Sequence, residues 1–139
     1  MLVVLDTNVL LSAILSPAGP PAQIHDAWRG KRFELVTCPE QIEELRRASR
    51  YPQFRTALQP ARIGTLTNNL TRALIWSKPL PRLFAADDPT DSFLLNLAAA
   101  AQAHYLVTGD KRARILERKD IQGTRILTAR AFCEQVLQL

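Results

Sequence analysis

The sequence predicts an α/β fold: a three-layer α/β/α sandwich around a mainly parallel sheet of four or five strands. Two observations carry that expectation. Short apolar runs such as Leu2–Leu5 and Tyr105–Thr108 lack polar alternation, as in strands buried on both faces of a parallel sheet. Between such runs lie stretches with helical spacing, and the alternation βαβααβαβα is that of crossover-connected parallel strands. A further regularity concerns strand ends: the first run is followed at once by Asp6, and the Tyr105–Thr108 run by Gly109 and Asp110.

Taken in order, Leu2 to Leu5 form the first strand, and Val9 to Leu15 a short helix that breaks at Ser-Pro-Ala-Gly-Pro-Pro, residues 16 to 21. Ala22 to Arg29 is a helix with Ile24, Ala27 and Trp28 on one face, stopped by Gly30. Phe33 to Thr37 is the second strand. Pro39 suits the first position of a helix to about Arg50, with Ile42, Leu45 and Ser49 inward. A second long helix starts near Pro60, with Ile63, Leu66, Leu70, Ala73 and Leu74 at helical spacing, and the Pro-rich segment Lys78 to Leu83 holds at most a short edge strand. Asp88-Pro89-Thr90-Asp91 reads as a helix start, with Asp88 as N-cap and Asp91 at N3, opening an Ala-rich helix to about Ala103. After the Tyr105–Thr108 strand come a short helix at Ala113–Glu117 and a last strand at Thr124–Leu127. Thr128 then caps a terminal helix carrying Phe132, Val136 and Leu137 inward.

At 139 residues and 47% apolar content, a single domain over residues 1–139 with one sizeable core is expected. Cys38 and Cys133 are far apart and have no partner at metal-ligand spacing, which argues against a disulfide framework or a zinc site and for a cytoplasmic protein. No apolar run approaches a membrane span, and Asp6 interrupts the N-terminal run too early for a signal peptide. Of the eighteen basic residues fourteen are Arg, and the net charge is +5. Arg suits bidentate phosphate contacts, so a polyanionic partner and plain solvation of helix faces are both open readings.

The thirteen acids are distributed informatively. Asp6 ends a strand, Asp88 and Asp91 open the Ala-rich helix, and Asp110 follows the strand to which that helix leads. Right-handed crossovers put strand ends on one edge of the sheet, where distant positions converge. Carboxylates gathered there either raise their pKa values or hold a cation. Mg²⁺ or Mn²⁺ prefers oxygen ligands, and such an ion activates water and neutralises charge on a phosphodiester. Each acid also has a structural alternative. Asp6 suits the cap of the following helix, and Asp88 fits a cap better than a ligand. Asp91 favours the helix dipole by about 0.3–1 kcal/mol, and Asp110 suits a turn. On the helix after the second strand, Glu44 lies roughly 110° from the centre of the apolar face and Glu43 roughly 150°. Because Glu43 also has Arg47 at i+4, Glu44 is the better inward candidate.

The segments VVLDTNVLLSA, CPEQIEELRR and DDPTDSFLLNLAAAAQAHYLVTGDK, with the terminal strand and helix, resemble the PIN domain (PilT N-terminus) family, in particular the toxins of VapBC-type toxin-antitoxin modules. The resemblance implies a ribonuclease with three or four acids around Mg²⁺ or Mn²⁺, falling here on Asp6, Glu44, Asp91 and Asp110. Asp6, Asp91 and Asp110 would be the metal ligands. Asn8 and Thr108 match positions that support the acids by hydrogen bonding, and Asp88 matches an acidic position of secondary role. The resemblance also implies homodimers and a small antitoxin that covers or disrupts the acidic site. One departure is Cys38, where relatives often place a Ser cap.

The expected chemistry is hydrolysis of RNA phosphodiester bonds that leaves a 5′-phosphate and a 3′-hydroxyl. Basic residues flanking the acids, Arg46, Arg47 and Arg50 beside Glu44 and Lys111, Arg112 and Arg114 beyond Asp110, would track phosphates in a groove. With only His25 and His104 present, a paired-His mechanism is disfavoured. Two alternatives stand beside this reading: a catalytically silent module that binds RNA or an antitoxin, and a metal-dependent phosphohydrolase, whose Asp-x-Asp pattern fails at Asn8.

Overall fold

The first strand's position decides where everything else goes. In the computed structural model, which describes residues 1–52, 60–85, 89–109, 116 and 118–139 (without the side chains of residues 60 and 89–91), β1 (Leu2–Leu5) lies near the middle of the sheet. Val3, Val4 and Leu5 are buried, as an all-apolar run between two neighbours requires. β1 pairs in parallel with β2 (Glu34–Thr37) on one side and with β4 (Tyr105–Thr108) on the other. Beyond β2 lies β3 (Leu74–Ile75), and beyond β4 lie β6 (Thr124–Thr128) and β5 (Asp120–Ile121), giving the order β3-β2-β1-β4-β6-β5.

The sheet therefore has six strands rather than four or five, and both additional edge segments are two residues long. The helix pattern expected to reach Leu74 stops at Leu70, and Leu74 enters β3 with half its surface exposed. No strand forms at Lys78–Leu83. Close by, Asn96 accepts hydrogen bonds from the N–H groups of Leu83 (3.0 Å) and Phe84 (2.8 Å) and donates to the Phe84 carbonyl (2.9 Å). A buried side chain thus takes up backbone groups that a strand would have paired. β5 runs antiparallel to β6 through a two-residue turn, with Gln122 at φ 49° and Gly123 at φ 88°. Both central residues sit at positive φ, as in a type I′ hairpin turn.

On one face of the sheet lie α1 (Thr7–Leu15), α2 (Pro20–Arg29), α3 (Pro39–Ala48), α4 (Pro60–Leu70) and the C-terminal α6 (Ala129–Ala131), which continues as a π-helical stretch at Phe132–Leu137. Their apolar residues meet Val3, Leu5, Leu35, Val107 and Leu127 in one core. α5 (Pro89–Ala101) covers the other face, where Leu94, Leu95, Leu97 and Ala98 pack on Val4, Val36, Leu106 and Ile126. Alternate residues of one strand feed opposite cores, the period-two rule of a sheet covered on both sides. α2 starts at Pro20, inside the stretch expected to be loop, because proline is well placed at the first helical positions. The helix expected at Ala113–Glu117 lies outside the described residues apart from Leu116.

Candidate active site

The chain leaves β1 toward β2 and β3 in one direction and later returns through β4 toward β6 in the other, so the sheet order reverses between β1 and β4. At such a switch point a crevice opens beyond the carboxyl ends of the strands. Asp6 stands there. Its backbone N–H donates to the Val107 carbonyl (2.9 Å), extending the ladder one step past the strand. Its side chain is buried and accepts from Thr108 Oγ1 (2.8 Å) at Oδ2 and from the Asn8 backbone N–H (3.1 Å) at Oδ1. The second bond makes Asp6 the N-cap of α1, and the first ties it to the end of β4. Cap and crevice residue are one role here, since the same carboxylate does both.

The neighbouring β2 end is built from uncharged groups. Thr37 Oγ1 donates to Gln41 Oε1 (2.6 Å), and Gln41 Nε2 donates to the Leu5 carbonyl (2.5 Å), all three groups being buried. Gln41 therefore pins the first turn of α3 to the ends of both β1 and β2. Glu44 follows three residues later, on nearly the same side of the helix. It is half-buried, whereas Glu40 and Glu43 are exposed. Gln41 had no place in the expected site, although a polar residue four positions before buried Leu45, in line with the apolar stripe, was the available signal. Cys38 caps α3 without any side-chain hydrogen bond, as the residue type implies. Burial pushes its thiol up to about 12.

The structure brings together Asp6, Thr108 and the Asn8 backbone, and Glu44 is half-buried where Glu43 is exposed. Arg46, Arg47 and Arg50 are exposed along and just beyond α3. Asp88, Asp110, Lys111, Arg112 and Arg114 lie outside the described residues, as does the side chain of Asp91, which falls in the first turn of α5. Among the described residues, no three His, Cys, Asp or Glu side chains are grouped as a metal site. The described donors are nonetheless of one kind. Asp6, Glu44 and the Thr108 hydroxyl offer oxygen, and the Cys38 thiol at this edge is held protonated, a set suited to a hard divalent cation rather than a soft one. Thr7 Oγ1 is also buried here and has no hydrogen-bond partner among the described residues.

One more feature borders the residues that hydrogen-bond Asp6. A cavity of about 200 Å³ is lined by Asn8, Val9 and Ser12 of α1, Pro20 and Pro21 of α2, Gly109, and Ala129 and Arg130 of α6. Arg130 was not among the expected site residues, though like Asp6 it lies just beyond a strand end.

Comparison with known proteins matches the PIN domain family model to residues 2–112. The chain is a PIN domain. The match runs from β1 through β4 and so includes both halves of the Asp6–Thr108 bond. A relative from Methanocaldococcus jannaschii, the uncharacterized protein MJ1680, is 28% identical over 110 residues, 78% of this chain and 70% of that protein. PIN domains are generally nucleases that use divalent metals, and the α/β architecture with a mostly parallel sheet is the one expected of them. No helix among the described residues is long and apolar enough to cross a membrane.

Proposed function

We propose that this PIN domain is a metal-dependent endoribonuclease, the VapC-type toxin of a toxin-antitoxin module, acting in the cytoplasm on RNA and held in check by a small antitoxin. The observation that carries the nuclease reading is Asp6, a buried carboxylate at the β1/β4 switch point, oriented by Thr108 and the Asn8 amide.

In this reading Asp6, Asp91 and Asp110 would hold Mg²⁺ or Mn²⁺, and Glu44 would complete the acidic cluster. A divalent ion held there would supply Lewis acidity toward water and toward the charge on the phosphodiester. Water adds at phosphorus and the P–O3′ bond breaks, leaving a 3′-hydroxyl and a 5′-phosphate. Thr108 and Asn8 keep the Asp6 carboxylate from rotating, and Gln41 fixes the first turn of α3 and so the station of Glu44. Basic side chains at the rim (Arg46, Arg47 and Arg50, with Lys111, Arg112 and Arg114) draw in the RNA backbone, consistent with the net charge of +5. The chain acts as a homodimer, to be checked by light scattering.

A phosphohydrolase with Asp6 as nucleophile is disfavoured, because Asn8 stands where its Asp-x-Asp pattern needs the second acid. The test is cleavage of single-stranded RNA in Mg²⁺ or Mn²⁺ by the wild type and Asp6→Asn. Since Asn caps helices as well as Asp, the variant keeps its fold. A loss of about 100-fold or more in rate is expected, and full activity would refute the assignment. A protein that binds RNA or antitoxin but cleaves nothing under these conditions would be the silent module.

A further inference from the structure

We infer that the cavity beside Asp6 is a subsite for one unpaired nucleotide of the substrate, with Arg130 as its phosphate-binding residue. This rests on the nuclease reading above and extends it to a part of the surface that the acids do not occupy.

The first argument is position. The cavity wall includes Asn8, whose N–H bonds Asp6, and Gly109, which directly follows Thr108, the other partner of Asp6. Asp6 itself is buried and does not line the cavity, but the cavity opens beside both of its hydrogen-bond partners, so RNA held at this edge of the sheet passes it. Chemistry supplies the second argument. Among the described lining residues Arg130 is the one charged side chain; it is exposed and makes no hydrogen bond or ion pair with the described residues. A guanidinium so placed presents its donor fork to a phosphate. Asn8 and Ser12 add an amide and a hydroxyl on the α1 side.

The opposite wall has another character. Pro20 and Pro21 lack backbone N–H groups, so the start of α2 offers few donors and presents ring carbons instead, continuous with Val9 and Ala129. That is a surface for a ribose or a base, not for a second charge. At about 200 Å³ the cavity is smaller than the roughly 300–1,000 Å³ of a drug-sized site. It has room for a base or a ribose, with the phosphate outside at exposed Arg130, and entry requires a base that is free of a duplex.

The test measures binding apart from cleavage. A fluorescein-labelled single-stranded RNA decamer is titrated in EDTA over a range of salt against the wild type, Arg130→Ala, Arg130→Lys and Ser12→Phe, each checked for folding by thermal melting. Arg130→Ala should weaken binding by about tenfold and lower the salt slope by about 0.7, with Arg130→Lys retaining part of the affinity. Ser12→Phe, which fills the cavity from the α1 side, should weaken binding as well. In the metal-supplemented cleavage assay Arg130→Ala should raise KM while kcat stays within about twofold. Wild-type affinity and slope in both Arg130→Ala and Ser12→Phe would overturn the subsite, whatever the nuclease assay shows. Because binding is read without metal, full cleavage by Asp6→Asn would sink the nuclease reading and leave the Arg130 result to stand or fall by itself.

Discussion

At the scale of single residues, the Asp6–Thr108 bond has the clearest consequences. It joins positions 102 apart and is a hydroxyl-to-carboxylate bond in a buried setting. Charge-assisted bonds of this type contribute about 1.5–3 kcal/mol. Thr108→Val, which keeps the shape and removes the donor, should lower stability by that order in urea denaturation. It should also reduce turnover, because the carboxylate loses one of the restraints that orient it. The cysteines offer a second check. Burial raises the ionisation range of both Cys38, to about 12, and Cys133. With folded values above the unfolded ones, their contribution to stability is fully present below the ordinary thiol range and declines as pH rises from about 9 toward 12. Both thiols should therefore resist a disulfide-exchange reagent at pH 8 until denaturant is added. Rapid native labelling of Cys38 would contradict its burial at the head of α3.

Moving to elements, Gln41 links three of them through two bonds. Gln41→Leu fills similar volume but strands the Thr37 hydroxyl and the Leu5 carbonyl. The expected cost is about 1–3 kcal/mol in a urea titration, with a further loss of cleavage as the first turn of α3 shifts Glu44. Unchanged stability would mean that the clamp is incidental. How far such elements could be read from sequence differs case by case, for physical reasons. β1 and β4 were legible because a strand buried on both faces cannot hide its composition. β3 was not, since Leu74 and Ile75 are exposed at a sheet edge and continue the helical spacing of Ile63, Leu66 and Leu70. β5 was missed because its hairpin turn uses Gln-Gly where Asn-Gly would have been the familiar signal, and Gln122 carries the positive φ. At the site, a strand-end acid was readable in Asp6. Gln41 and Arg130 were not, as each looks like an ordinary helix polar residue until the topology brings it to the crevice.

For the whole molecule, the charge balance and the sheet order act together. A net charge of +5 biases encounters toward polyanions, and the exposed Arg46, Arg47 and Arg50 lie along the helix that carries Glu44. Replacing all three with Ala should weaken RNA binding at every sequence tested and flatten log K against log salt by about two, since each single-strand phosphate contact contributes about 0.7 to the slope. A parallel line with the wild type would remove α3 from the path of the RNA.

The sheet order also has a temporal side. β1 emerges first during synthesis and can pair early with β2, but its other neighbour, β4, ends more than a hundred residues later. At translation rates of about 5–20 residues per second, Asp6 waits several seconds for Thr108, and the Arg130 wall arrives later still. A partly made chain on the ribosome thus carries the first acid without the surroundings that orient it, so the geometry at Asp6 is completed only after β4 has been made.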